Sequence, residues 1–420
     1  MAGAKEPGDE IGLLEVPRNT CGVNARELVI DGVLGVLAVR PIIDVLEHPV
    51  SLVPVASRSS LDEAFVQASS YVQLERFLNR VATRIDAPQF KMRSEDSSFS
   101  HSVFETVVSQ RLIGESRGLG EHGLLELDAT DEIIDEAVGR SFDRRFFRAR
   151  LTSFDGTWLR AYTAGDHRKR AVLLISACGM PAKICEKWIM LLAEDYFVIT
   201  WESRLLFENS TGSESFAYDI DAQVSDLFAV MDHFGVSTAH VMGLCGGAVI
   251  ALSAAAARPE RVSSLGLWHG DYELGAECPK TKHQKDMKAL MLTAAMGRQQ
   301  AGQIHKLFSQ NIFKSIQSDL AHLILYPYAN AELLYRYSKS NGSIMDTDVT
   351  PLLAKVAQPT LVVTSCDDST AHPEGSRRVA EILPNAQLRV MPHGDHLSLF
   401  DAALDVTEIA MRFLDVIRQK

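Results

Sequence analysis

The sequence predicts an α/β protein built on a mostly parallel, doubly wound sheet, with helices on both of its faces. Two observations carry that prediction. From Phe147 onward, short β-rich runs alternate with helical segments, an order that demands parallel strands with helical crossovers. The residues best suited to chemistry then fall where three of those runs end, at the carboxyl edge where open parallel sheets bind their ligands.

Before Phe147 the signals are mainly helical. Residues 25–46 and 60–85 carry apolar residues at three- and four-residue intervals, with Ser60 or Asp62 as candidate cap of the second segment. Residues 92–101, rich in Ser and charge, read as a loop, and residues 131–139 as one more short helix. Asp155-Gly156 marks a hairpin between strands at 147–153 and 158–164. Buried strands are expected at 171–176, 196–201, 239–242, 264–268, 360–364 and 387–391. Helices are expected at 183–193, 220–234, 247–258, 373–383 and 399–418. Residues 275–350 break the rhythm with helix-like runs and no convincing strand, and read as a lid inserted into the sheet domain. The chain therefore divides into a mainly helical N-terminal region (1–146), a first part of the sheet core (147–274), the helical insertion (275–350) and the second part of the core (351–420).

Composition removes several classes of function. With 46% hydrophobic and 23% charged residues, the 420-residue chain is globular rather than fibrous or disordered. A formal net charge of -12 gives no electrostatic reason to expect a nucleic-acid partner. Apolar stretches such as 246–257 are too short to cross a bilayer, which takes roughly 20 residues, so no membrane partner is expected. The first ten residues are polar and acidic and lack a signal-peptide pattern, so a cytoplasmic location is expected. Cys21, Cys178, Cys185, Cys245, Cys278 and Cys366 show no paired zinc or disulfide-scaffold spacing and are expected to be free thiols.

One of those thiols stands in a chemical setting. Gly243-Leu244-Cys245-Gly246-Gly247 lies between a predicted strand and the helix that follows it. A nucleophile on such a tight turn sits at strained backbone angles, and flanking glycines let neighbouring chain pass closely. The helix N-terminus favours thiolate, and the Gly246 amide can donate to an oxyanion. The plainer reading is a buried Cys in a Gly-rich turn. Downstream, the strand from Thr360 ends in Asp367 and Asp368, and the next ends in His393 and His396. Nucleophile, acid and histidine at successive strand ends form the constellation of a triad.

With these residues the sequence resembles the α/β-hydrolase superfamily over about residues 147–420. Its G-x-C-x-G elbow is similar to those of polyhydroxyalkanoate synthases and dienelactone hydrolases. The resemblance implies Cys245 as nucleophile, His396 as general base and Asp368 as acid, with Asp367 the alternative acid and Asp271 a less favoured one. Gly394, two residues before His396, supports that choice over His393, which reads as a local hydrogen-bonding residue. Trp201-Glu202-Ser203-Arg204 resembles the family's aspartate-x-arginine turn, usually structural. The segment 176–180 follows the strand that normally ends in His-Gly, so Gly179 and the Met180 amide are candidates for the second oxyanion donor beside Gly246. Cys178 replaces the usual histidine there and is expected near Cys245, with a small buried residue as the plainer account.

Weaker candidates for the substrate pocket are Cys178, Gly179, Trp268 and His269, with Tyr272 near its mouth; packing or hydrogen bonding accounts equally well for Trp268, His269 and Tyr272. Tyr326, Tyr328, Tyr335 and Tyr337 form either an aromatic wall over an acyl chain or ordinary core. Arg144, Arg145, Arg148 and Arg150 are either a grip for a phosphate of coenzyme A or a carrier protein, or a solvated basic face.

A thiol paired with histidine attacks activated acyl groups readily, and its thioester stays energised for transfer. The expected function is therefore an acyltransferase or thioesterase-like enzyme of secondary metabolism, using a Cys-His-Asp triad on an acyl thioester of coenzyme A or acyl carrier protein. An ester or lactone hydrolase is the alternative, and a non-catalytic binding protein of the same fold the third reading. No metal or organic cofactor is implied, and the N-terminal region is a candidate homodimer face.

Overall fold

The computed structural model describes residues 24–46, 48–52, 68–93, 102–121, 130–207, 215–309 and 318–418. Ahead of the main sheet stand α1 (Ala25–Ile43), α2 (Ala68–Arg84), α3 (Val103–Glu121), α4 (Asp131–Arg140) and α5 (Phe142–Arg145), with a parallel pair of short strands, β1 (Val50–Leu52) and β2 (Phe90–Met92). Asn24 caps α1 by accepting the Arg26 N–H at 3.1 Å. Val29, Ile30, Val33, Val36 and Val39 bury that helix against α2, α3 and α4, so its apolar stripe is broad. Ser60 and Asp62 lie outside the described residues, as does most of the expected 92–101 loop. Helix α3 was not expected, because its apolar positions (Phe104, Val108, Leu112, Leu119) are interleaved with the buried Ser109 and Ser116, which blur the period that sequence reading relies on.

The main sheet comprises β3 (Phe147–Thr152), β4 (Trp158–Ala164), β5 (Ala171–Ile175), β6 (Phe197–Trp201), β7 (Ala239–Leu244), β8 (Val262–Trp268), β9 (Thr360–Ser365) and β10 (Ala386–Met391), in the order β10-β9-β8-β7-β5-β6-β4-β3. Only β4 runs antiparallel to its neighbours. The inner strands β5, β6 and β7 are buried along their whole length, as covering on both faces requires.

The connections are α6 (Glu186–Ala193), α7 (Ile220–His233) and α8 (Gly247–Ala257), then an insertion between β8 and β9, and finally α14 and α15 as defined below. The insertion holds α9 (Lys282–Ala295), α10 (Arg298–Leu307), α11 (Ala321–Ile324), α12 (Ala331–Asp346) and α13 (Thr350–Leu353), and no named strand among its described residues. Thr281 and Gln284 close a reciprocal capping box on α9. Helices α14 (Pro373–Ile382) and α15 (Leu404–Arg418) flank β10 in sequence. The helix expected from residue 399 begins only at Leu404, because Asp395 caps a separate 3-10 turn, His396–Phe400, and Ala402 takes a positive φ of 47°.

Arg204 ties this frame together. Its guanidinium reaches Asp155 in the β3–β4 hairpin and Asp226 on α7, each at 2.9 Å. Glu202, also buried, accepts the Ala182 N–H at 2.9 Å. The Glu-x-Arg turn thus pins β6 to the hairpin, to α7 and to the segment after β5.

Candidate active site

Cys245 occupies the turn between β7 and α8 with φ of 54°, a region that costs a non-glycine residue about 1–3 kcal/mol. Its N–H donates to the Trp268 carbonyl at 2.9 Å, which fixes the turn against β8. The flanking glycines are sterically required. A Cβ on Gly243 would lie 2.4 Å from the Gly247 carbonyl oxygen, and one on Gly247 would lie 2.6 Å from that of Ile175. The Gly246 N–H, at the start of α8, has no acceptor among the described residues and is oriented with the helix dipole.

At the ends of β9 and β10, His396 Nδ1 lies 2.9 Å from Asp368 Oδ2. His396 is buried and its Nε2 has no hydrogen-bond partner among the described residues, while the Cys245 sulfur acts electrostatically on the imidazole. Burial opposes the imidazolium, yet the Cys245 sulfur and Asp368 together hold the pKa of His396 well above its ordinary value. Burial likewise opposes the carboxylate of Asp368, but hydrogen bonds from His269 and His396, the His396 charge and the Ala371 amide hold it well below the usual carboxylate range. Asp368, not Asp367, is therefore the acid brought to His396. Asp367 instead meets His393 at 3.2 Å on the exposed surface.

His269 takes the hydrogen-bonding role: it is buried, its Nδ1 lies 2.9 Å from the same Asp368 Oδ2, and the two imidazole rings are edge-to-face at 5.8 Å. The backbone explains this, since His269 directly follows β8, has φ of 47°, and donates its N–H to Val363 on β9 at 2.8 Å. His269, Asp368 and His396 are close enough to share a metal ion, but both Nδ1 atoms are at hydrogen-bond distance from one carboxylate oxygen, so they are already bonded to it.

Truncating His269 removes one charged hydrogen bond, worth about 1.4 kcal/mol or tenfold in rate. His269→Ala is thus expected to lower kcat about tenfold and leave KM unchanged, with His269→Gln recovering most of the loss. The freed charge of Asp368 then acts more on His396, so the pH–rate limb belonging to His396 moves upward. Loss of kcat with an unmoved pH profile would make His269 merely structural.

Other expected residues are redistributed. Trp268 is a correction: its ring is fully buried and packs on Trp188 at 5.3 Å, so it belongs to the core rather than to a pocket wall. The second oxyanion donor is also altered. Gly179 gives its N–H to Ser203 Oγ at 2.9 Å, and Met180 gives its own to the Ala177 carbonyl at 3.2 Å. Both amides are engaged, so Gly246 is the free donor of the three. Cys178 does come near Cys245, but burial pushes its thiol up to about 12, against a hydrogen bond with Ser203. It stays a neutral thiol.

Of the four tyrosines, Tyr328 and Tyr337 pack edge-to-face at 5.3 Å and couple electrostatically to both Cys178 and Cys245. Tyr326 stacks on Phe207 and donates to the Leu206 carbonyl at 2.9 Å, while Tyr335 lies under Arg298. Tyr326, Tyr328 and Tyr337 are buried members of the hydrophobic core, with Tyr335 packed against it. Buried Tyr272 couples to Cys245 as well. Asp271 accepts from Gln284 at 2.5 Å and is not bonded to His396. In the basic cluster, Arg145 pairs with Glu186 at 2.9 Å, Arg148 lies 4.0 Å from Asp143, and Arg150 lies over Trp158.

Sequence reasoning missed Ser203 as the partner of the Gly179 amide, and also Asn341 and Ile344 of α12, the side chains nearest a Cβ on Gly246. Nothing local marks these residues, because helix–elbow packing joins positions about 100 residues apart. His283 on α9 also interacts with His396, and burial followed by the His396 charge lowers its pKa.

Comparison with known proteins agrees with this architecture. A family model described as alpha/beta hydrolase fold matches residues 170–403. A putative carbamate hydrolase, RutD, of Pseudomonas savastanoi pv. phaseolicola is 25% identical over 236 residues, spanning 53% of this chain and 88% of that protein. Lipase 3 of a Moraxella species is 24% identical over 51% of this chain and 68% of its own. Among solved structures, the enol-lactonase from Burkholderia xenovorans superposes with a TM-score of 0.51 at 17% identity, covering 64% of this chain and all of that one. A thermophilic esterase from Thermogutta terrifontis gives 0.52 at 18% identity, over 64% and 99% of the two chains. These structural likenesses speak to the fold.

Proposed function

Since the chain belongs to the α/β-hydrolase fold family, we propose that it is a hydrolase of activated acyl bonds, esters or thioesters, working through an acyl-Cys245 intermediate. One observation carries the reading: His396 has Nδ1 anchored on Asp368, its Nε2 is left without a hydrogen-bond partner among the described residues, and the Cys245 sulfur acts on the same imidazole. Nucleophile, base and orienting acid then stand in the sequence that acyl transfer to a thiol requires. The names of the relatives, a carbamate hydrolase and a lipase, support hydrolysis as the outcome.

In this mechanism His396 holds the proton taken from Cys245 while Sγ attacks the acyl carbon. The negative charge developing on the carbonyl oxygen is met by the Gly246 N–H. Collapse of the tetrahedral adduct expels the alcohol or thiol, which takes the proton back from His396. Water, deprotonated by His396, then attacks the thioester and releases the acid and free Cys245. Asp368 keeps the imidazole in the one orientation that serves both half-reactions.

Acyl transfer to an acceptor other than water is a second reading, and the cover over Cys245 favours it. Tyr328, Tyr337 and α12 close on the elbow, which slows access of water to a thioester. Intact-protein mass spectrometry with a panel of acyl thioesters and aryl esters separates these outcomes. A mass gain at Cys245 that decays in water alone supports hydrolysis, while one that persists until an amine or alcohol is added supports transfer. Substrate turnover equal in wild type and Cys245→Ala would rule out both.

A further inference from the structure

A cavity of about 1240 Å³ lies between the N-terminal helices α1 and α3 and the sheet domain, and closes on the turn that carries His396. Its interior is unusual in its polar groups. Arg111 contributes a buried Nε–H with no acceptor, although its other end pairs with Glu115 at 2.7 Å. His322, only 3% exposed, has a buried Nε2 with no partner. Lys183 pairs with no carboxylate among the described residues. Burial and the charges of Arg111 and Lys183 depress His322 to about 3; burial chiefly opposes the charge of Lys183, with Glu186 and Asp143 favouring it and Arg111 and Arg145 opposing it.

Two cations, Arg111 and Lys183, beside a buried neutral imidazole whose Nε2 is unbonded among the described residues, are costly around one cavity for the fold alone. The acids of the lining satisfy them only in part: Glu115 pairs with the far end of Arg111 at 2.7 Å, Glu186 favours Lys183 while bonded to Arg145 at 2.9 Å, Asp401 is held by Lys187 at 3.1 Å, and Asp395 caps the His396 turn. Leu34, Val107, Ile184, Leu320, Leu323 and Phe400 supply an apolar wall beside them. We propose that this cavity binds an organic anion, a carboxylate or phosphate head on an apolar body, with the head between Arg111, Lys183 and His322. An anionic oxygen supplies the acceptor that Arg111 Nε lacks and the counter-charge that Lys183 lacks. This site is separate from the acyl chemistry at Cys245 and does not depend on it.

Isothermal titration of the Cys245→Ala protein with decanoate, decyl phosphate and uncharged decanol tests the proposal. At least one anion is expected to bind one per chain, to bind at least tenfold more weakly once Lys183→Met is added, and to recover with Lys183→Arg, while decanol binds equally weakly to all. The tighter anion identifies the head group. Without ligand, Lys183→Met is expected to raise Tm by about 2–4 °C, since it removes an unpaired, repelled cation. Decanol binding as tightly as the anions, anion affinity indifferent to Lys183→Met, no binding of either anion, or a lower Tm in Lys183→Met overturns it.

Discussion

Cys245→Ala is expected to lower kcat/KM on aryl esters and acyl thioesters by about 10⁴-fold or more, equivalent to about 5.5 kcal/mol of transition-state stabilisation. The size follows from the geometry. His396 is locked by Asp368 and buried, its Nε2 has no hydrogen-bond partner among the described residues, and the Cys245 sulfur acts on the imidazole, so removing Sγ leaves a base with no nucleophile to activate. Alanine adopts the same positive φ at similar strain, and the elbow is held by backbone contacts through Gly243, Gly247 and the Trp268 carbonyl. The variant should therefore fold, with a Tm near that of wild type, and lose the acyl adduct in intact-mass spectra. His396 also loses one of the groups that raise its pKa, so its imidazole resonances should titrate at lower pH. Full activity in Cys245→Ala, with none in His396→Ala, would transfer the chemistry to water activated directly by the histidine.

Asp368→Asn should be nearly as severe, about 10³- to 10⁴-fold in kcat, and should destabilise the fold as well. The carboxylate is saturated: Oδ1 accepts the Thr370 and Ala371 N–H groups, each at 2.9 Å, and Oδ2 faces both histidine Nδ1 atoms at the same distance. Asparagine has one oxygen. Whichever way its amide is turned, an NH2 faces either two backbone donors or two imidazoles, at a cost of about 2–4 kcal/mol for a buried, unmatched set. Denaturant melts and kinetics of the same preparation measure both losses.

The pH dependence of stability follows from the same pair. Asp368 has a folded pKa below its ordinary 3.8, so its contribution is present above that value and is lost as pH falls toward the folded one. His396 has a folded pKa raised above 6.5, so its contribution is complete below 6.5 and is lost as pH rises through the folded value. Wild type should be most stable between these limits, and Asp368→Asn should flatten both sides. A wild-type Tm that stays level through the alkaline side would contradict the raised His396.

The distribution of legible and illegible features has a physical basis. Strand and helix alternation, the hairpin at Asp155-Gly156 and the strained turn around Cys245 are recorded in neighbouring residues, because periodicity and glycine placement act over a few positions. The helical insertion was likewise readable as a break in that alternation, whereas the order of strands in the sheet came only from the fold. That three strand ends carry Cys, Asp and His was also visible in the sequence. The resemblance already favoured Asp368 with His396; local pattern alone did not separate them from Asp367 and His393, because the two acids are adjacent in the turn after β9 and only the fold sends one to exposed His393 and the other to buried His396. The second histidine on Asp368, the loss of the Gly179 and Met180 amides to other acceptors, and the removal of Trp268 into the core are equally tertiary. Each depends on contacts between segments tens to hundreds of residues apart, where packing rather than local preference selects the partner. The sequence by itself determined the sheet and the kinds of group at its carboxyl edge; the tertiary structure decided which of those groups touch, because hydrogen-bond directions inside a packed core are set by every neighbour at once.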